Sequence, residues 1–164
     1  MSDAFSRFLI AAARALDMLQ APLALATRLY VSWVFLKSGW LKLSDWEQTV
    51  ALFQSEYQVP LLPPVPAAVL GTGGELFFSL LLVLGLAGRV SAVGLFAVNA
   101  IAVVSYSHVL LQQGFEAAIG QHYLWGFMLI VLAAYGPGAW SLDRLIERRK
   151  GIGRGWSRPA AGTV

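Results

Sequence analysis

The sequence predicts an all-α integral membrane protein: a bundle of four transmembrane helices with amphipathic segments at both ends. Three observations carry that prediction. Of the 164 residues, 57% are hydrophobic and only 13% charged, where a soluble domain carries about 25% charged residues. The apolar residues are gathered into runs long enough to cross a hydrocarbon core of ~30 Å. One of these runs, residues 66–89, is apolar up to its terminal arginine except for Glu75. At ~1.5 Å per residue Glu75 lies about 14 Å into its helix, near mid-membrane. An ionisable group at that depth is costly, generally has a partner, and marks a candidate functional site.

The elements follow in chain order. Residues 1–20 form a candidate amphipathic interfacial helix. Phe5, Phe8, Leu9, Ala12, Leu16 and Leu19 share one face, and Asp3, Arg7, Arg14 and Asp17 the other, which suits a helix lying in the cytosolic interface. Ala24-Leu25-Ala26 looks like a signal-peptide cleavage site. Arg14 and Asp17 interrupt the apolar region such a peptide needs, so cleavage is not expected.

The membrane domain is expected over residues 21–146, with spans near 22–41, 66–87, 90–111 and 119–135. In the first span Arg28, Phe35, Gly39 and Lys42 fall on one stripe. Lys37 lies opposite and snorkels to the interface. Residues 43–65 are first acidic and aromatic (Asp45, Trp46, Glu47, Phe53, Glu56, Tyr57), then proline-rich (Pro60, Pro63, Pro64). A short surface helix is expected over 45–57, with Ser44 as N-cap, before the prolines redirect the chain. In the second span Gly71, Gly74 and Gly85 share a face with Glu75 at its edge. Small residues let a neighbouring helix approach closely, so Glu75 should point into the bundle.

Residues 66–111 are one apolar run of about twice the spanning length. Gly85, Gly88 and Arg89 supply its only break, which predicts a tight turn. The third span carries Asn99 near mid-depth and His108 near its far end. After a loop at 112–118, the fourth places His122, Trp125, Leu129 and Ala133 on one face. Gly136-Pro137-Gly138 ends it. Ser141-Leu142-Asp143-Arg144 opens a short basic amphipathic helix, and residues 147–164 read as a basic, disordered tail.

Six of the twelve Lys+Arg residues follow Tyr135. Together with Arg7, Arg14 and Arg89 they mark one side of the membrane, with only Lys37 and Lys42 near the other. The positive-inside rule then puts both termini in the cytosol, with four spans. The basic cluster is a topology signal; nothing beside it resembles a nucleic-acid module. The absence of cysteine excludes disulfides, thiol catalysis and cysteine-ligated clusters within this chain. No nucleophile triad or Walker loop is present. Gly71-x-Gly73-Gly74 precedes a membrane run rather than a βα turn, so it is no dinucleotide fingerprint.

The candidate polar cavity is lined by Arg28, Lys42, Glu75, Asn99, His108, His122 and Trp125, with Glu75 and His122 the candidates for catalytic roles. An Arg28–Glu75 ion pair is expected, since their axial gap is about 6 Å and arginine is long. The plainer alternative is that this pair only fixes helix register. His108 and His122 with Glu116 or Asp45 would be the metal set, but two histidines on separate helices without a spacing motif are weak evidence, and no metal is expected. Interfacial histidines that hydrogen-bond loops are the commoner case; hydrogen bonding of a quinone head group near the outer leaflet is the functional alternative, ahead of a metal. Trp33, Trp40, Trp46 and Trp140 read as interface-belt aromatics; Trp125, on the face of His122, lines the pocket.

These residues together resemble the DoxX family of small four-helix bacterial membrane proteins. The resemblance rests on Arg28, Phe35, Gly39 and Lys42; Gly71-x-x-Gly74-Glu75; Gly85-Leu86-x-x-Arg89; His122-x-x-Trp125; and Gly136-Pro137-Gly138-x-x-Ser141-Leu142-Asp143. It covers residues 22–146. It implies polar family positions at Arg28, Lys42, Glu75, Arg89 and His122, and a bacterial inner-membrane location. It also implies a redox-associated, quinone-linked subunit or a component of oxidative- or metal-stress systems. The 43–65 loop looks most like the subgroup linked to bufferin-type copper-binding peptides. That likeness implies the alternative of a non-enzymatic accessory protein serving a membrane or periplasmic partner. A purely structural scaffold is the third reading.

Overall fold

A computed structural model describes residues 3–151. Every regular element among them is an α-helix: α1 (Asp3–Ser44), α2 (Trp46–Ser55), α3 (Pro64–Leu84), α4 (Gly88–Ser105), α5 (Ser107–Leu110), α6 (Glu116–Tyr135) and α7 (Leu142–Arg149). Four of them, α1, α3, α4 and α6, are long and apolar enough to cross a membrane. α1 packs chiefly on α3, α3 on α4 and α4 on α6, and α6 closes the ring on α1. The sequential spans alternate in direction, as short connections between neighbours require.

The helix ends follow from local sequence. α3 opens on proline, whose missing N–H costs nothing in a first turn. It closes at Gly85, which takes the left-handed conformation (φ 67°). Gly85 N–H donates to the Leu82 carbonyl and Leu86 N–H to that of Leu81, a Schellman ending that needs a residue without Cβ. Asp45, not Ser44, caps α2: its carboxylate accepts from Gln48 N–H at 3.1 Å, while the Ser44 hydroxyl donates back to the Trp40 carbonyl.

Several segments differ from the expected boundaries. The amphipathic segment and the first span form one uninterrupted helix, α1. Pro22 lies inside it, but no C-capping glycine precedes Pro22 to stop the helix, and the flanking Ala/Leu-rich sequence favours helix strongly. Residues 4–20 are largely exposed and lie beyond the bundle. The third span ends early, at Ser105; α5 adds one turn after a break at Tyr106. The break leaves the Ser105 carbonyl to accept from Gln58 N–H at 2.9 Å, so the 43–65 connection is stitched to α4. Of the expected disordered tail, 147–149 belong to α7 and 152–164 lie outside the described residues.

The apolar part of the core is small, and buried polar side chains adjoin it. Val31 and Phe35 of α1, Leu82 of α3, Ala92 and Leu95 of α4, and Leu129 and Leu132 of α6 form its buried cluster. A second cluster seats α2 on α3, with Phe53 against Ala67 and Ala68 and with Trp46, Tyr57 and Val59 around it. α2 is therefore a lid over one end of the bundle. The α3–α4 turn and the chain after α6 form the other end.

Close helix approach uses small residues. A Cβ on Gly39 would lie 2.9 Å from Leu76 and 3.2 Å from the Glu75 Cβ, so α1 and α3 touch backbone to side chain at that level. The three glycines expected on one face of α3 meet three different neighbours: Gly71 faces Phe53 of the lid, Gly74 faces Val98 of α4, and Gly85 faces Arg28 and Ser141.

Candidate functional site

Beneath the lid, Glu75 is 5% exposed and pairs with Lys42, whose Nζ lies 2.5 Å from Oε1. Ser38, one turn before Lys42 on α1, completes a triangle: its hydroxyl donates to Glu75 Oε1 at 3.3 Å and accepts from Lys42 Nζ at 3.2 Å. The close α1–α3 approach at Gly39 brings these groups together. The second carboxylate oxygen, Oε2, is buried and has no hydrogen-bond partner. Glu75 thus points into the bundle, as the glycines around it suggested.

The expected Arg28–Glu75 pair is not formed. Antiparallel packing places Gly39 opposite Glu75, and Arg28 lies eleven residues before Gly39, about 16 Å along the helix. No arginine rotamer spans that gap. The stripe of Arg28, Phe35, Gly39 and Lys42 has the right face, but its far cation reaches the acid.

A second polar group faces the first from α4 and α6. Asn99, 4% exposed, donates from Nδ2 to the His122 carbonyl at 3.0 Å, and its Oδ1 lies 2.8 Å from His122 Nδ1. The donation fixes which end of the amide is oxygen, so the imidazole carries its proton on Nδ1 and leaves Nε2 as an acceptor. Trp125 packs edge-on against both His122 and Phe35, at 5.0 and 5.8 Å between ring centroids. Its indole Nε1 is buried and has no partner, and so is the hydroxyl of Thr72, one turn from Glu75 on α3. The Lys42 charge is within electrostatic reach of His122.

The lid side adds an aromatic row: Phe53 on Tyr57, Tyr57 on Tyr106, Tyr106 on His108. Tyr57 lies outside the spans. Burial pushes its hydroxyl above the usual tyrosine range, and the nearby Tyr106, Glu75 and Glu56 push it the same way. His108 belongs to this outer row. It is exposed and, contrary to expectation, is not among the buried polar groups around Glu75 and Asn99. Among the described residues no three His, Asp or Glu side chains gather as metal ligands.

Arg28 serves the opposite end. Its side chain is 1% exposed, and Nη1 and Nη2 donate to the carbonyls of Pro137 and Trp140 at 2.8 and 2.9 Å. The chain after α6 is thereby tied to α1. Asp143 ties it to the α3–α4 turn: its two oxygens accept from Ala87 and Gly88 N–H, each at 2.8 Å, and its own N–H donates to the Gly85 carbonyl. α4 has no cap of its own, since Ala87 carries no acceptor. A carboxylate 55 residues away in sequence supplies it. Arg89 remains exposed, with a long contact from Nη1 to the Ala133 carbonyl at 3.4 Å. Arg28, Gly85, Pro137, Ser141 and Asp143 thus form one latch rather than a ligand cavity.

The DoxX family model matches residues 23–108, just over half of the chain. The chain belongs to the DoxX family. DoxX proteins are membrane proteins, in keeping with the four candidate spans. In this DoxX chain the matched segment holds Arg28, Ser38, Lys42, Glu75, Gly85 and Arg89. It stops short of His122, Trp125 and the Gly136–Asp143 part of the latch. No curated protein and no solved structure matches the chain. Sequence reasoning missed one residue of this DoxX protein, Ser38, and the role of another, Asp143. Ser38 had a visible signal, its i,i+4 spacing from Lys42. Asp143 stood out as part of the motif after Gly136, but its clamping role had no signal, because its partners are backbone amides of a distant turn.

Proposed function

We propose that this DoxX protein is a redox-associated bacterial inner-membrane subunit that holds the head group of a quinone among its buried polar groups, with Glu75 and Trp125 as the hydrogen-bonding residues. The observation that carries this reading is a matched pair of unused groups: Glu75 Oε2 is a buried acceptor and Trp125 Nε1 a buried donor. Buried polar atoms ordinarily find partners. A quinone carbonyl accepts from an indole N–H, and a quinol hydroxyl donates to a carboxylate, so the two redox forms use both groups in turn. Lys42 and Ser38 hold the carboxylate in place, and His122 Nε2 is a second proton acceptor. In this reading both termini are cytosolic, which the Lys/Arg distribution supports.

The test is titration of the purified chain, in lipid nanodiscs, with a short-chain ubiquinone analogue, read by tryptophan quenching and thermal midpoint. Saturable quenching with a raised midpoint is expected. Trp125→Phe, which removes one hydrogen bond, should weaken binding roughly tenfold. A chain that shows neither quenching nor a midpoint shift overturns the reading.

A second reading is an accessory protein for a copper-binding, bufferin-type peptide. It rests on a shallow exposed groove on the lid, lined by Asp45, Glu47, Gln48, Ala51, Leu52 and Ser55. Glu47→Lys with Leu52→Ala alters this groove without touching Phe53 or Thr49, the residues that seat the lid. Loss of co-purified peptide on that change supports the second reading; unchanged recovery removes it.

A further inference from the structure

We propose that α7 is a headgroup-binding helix that seats the latch end of the bundle on anionic phospholipid. Two features of the structure carry this: where α7 is held, and how its surface is divided.

Its position is fixed by hydrogen bonds rather than by apolar packing. Ser141 caps it, its hydroxyl accepting from Arg144 N–H and donating to the Gly138 carbonyl, and Asp143 clamps its first turn to the Gly85, Ala87 and Gly88 backbone. That turn is where α3 ends and α4 begins, and α6 ends beside it at Tyr135. The three spans therefore leave the hydrocarbon at the level at which α7 starts. A helix pinned there cannot swing into solvent without breaking the Asp143 clamp.

The surface of α7 is divided accordingly. Leu142, Leu145 and Ile146 form one ridge within roughly a 100° arc, and all three are exposed, at 37%, 47% and 38%. None of the α7 residues is buried by the described part of the chain. Arg144 and Arg148 lie one turn apart on the far side, Arg149 ends the ridge side of the last turn with a side chain long enough to reach back to the headgroup layer, and Lys150 is the C-cap. Glu147 offsets Arg144 in an ion pair at 3.1 Å, and Asp143 is consumed as the clamp. Arg148, Arg149 and Lys150 are exposed and have no ion-pair partner among the described residues. Exposed Arg89, next to the clamped Gly88, adds a fourth cation in the same layer.

An apolar ridge at the hydrocarbon boundary with arginines above it is the pattern of an interfacial helix. Basic residues in that layer draw anionic lipid, each contributing modestly and additively. The charge excess selects the occupant: an anionic headgroup such as phosphatidylglycerol, not a zwitterionic one. This inference does not depend on the quinone reading.

The test uses the full chain purified in a neutral maltoside detergent. Phosphatidylglycerol or phosphatidylcholine is added, with retained lipid counted by native mass spectrometry and stability followed by thermal midpoint. Phosphatidylglycerol should bind at least ~10-fold more tightly than phosphatidylcholine and raise the midpoint. The triple change Arg148→Gln, Arg149→Gln, Lys150→Gln should reduce the phosphatidylglycerol affinity by ~10- to 100-fold. The charge-keeping change Arg148→Lys, Arg149→Lys should retain it. Equal binding of the two lipids overturns the proposal. So does a triple variant that keeps its preference, or a loss as large in the charge-keeping variant.

Discussion

Replacing Lys42 by methionine is expected to destabilise the protein by about 3 kcal/mol, the low end of the cost of stripping one partner from a buried ion pair. The low end applies because the Lys42 side chain is 21% exposed and the pair is not fully desolvated. Glu75, at 5% exposure, then has only the Ser38 hydroxyl for its charge and no route to water. The reciprocal change is milder. Glu75→Gln leaves an amide that still accepts from Ser38, and it frees a lysine long enough to reach the headgroup layer. Its expected cost is about 1 kcal/mol, that of one charge-assisted hydrogen bond exchanged for neutral ones. The asymmetry is the informative part: the lysine variant should be the less stable, although both remove the same pair. Unfolding by SDS titration in mixed micelles measures both. Equal costs, or a costlier glutamine variant, would place the lysine deeper than the acid.

At the other end of the bundle, Gly85→Ala should cost about 3 kcal/mol or more. One part is conformational: φ of 67° charges any Cβ-bearing residue about 1 kcal/mol. The larger part is steric. The new Cβ would stand 2.4 Å from Arg28 Nη1 and 2.5 Å from the Ser141 Cβ, with the Ser141 Cα at 3.0 Å. The arginine is held by two carbonyls and Ser141 by the Asp143 clamp, so neither yields without opening the latch. Limited proteolysis should then cut within 136–145 much faster than in the parent chain. Gly73→Ala is the control: nothing lies within 4 Å of its Cβ position. That change should be neutral, or stabilising by up to about 1 kcal/mol, because alanine suits a helix better.

These two sites show what could be read from the chain alone. The four spans were legible because apolar length is a one-dimensional property, and the family likeness was legible because its motifs are local. That Glu75 faces inward was also legible, from mid-membrane depth and flanking glycines. Its partner was not. Depth ordering puts Arg28 and Lys42 on either side of Glu75, and only the antiparallel register of α1 on α3, set by Gly39 against Leu76, decides between them. The latch was hidden for a related reason. Asp143 reads as an ordinary first-turn acid of its own helix, yet it caps α4, whose own N-cap residue is an alanine. The extent of α1 was misjudged because a proline in an otherwise helix-favouring stretch reads as a start, whereas here the helix runs through it.

Lys42, not Arg28, is the charge partner of Glu75. Two double-mutant cycles in the same micelles test it, one pairing Glu75→Gln with Lys42→Met and the other pairing Glu75→Gln with Arg28→Met. The 42–75 pair should couple by about 1–3 kcal/mol, and the 28–75 pair, with no shared contact, by less than about 0.5 kcal/mol. A coupling that is larger for Arg28 than for Lys42 would contradict the register of α1 on α3 and the site built on it.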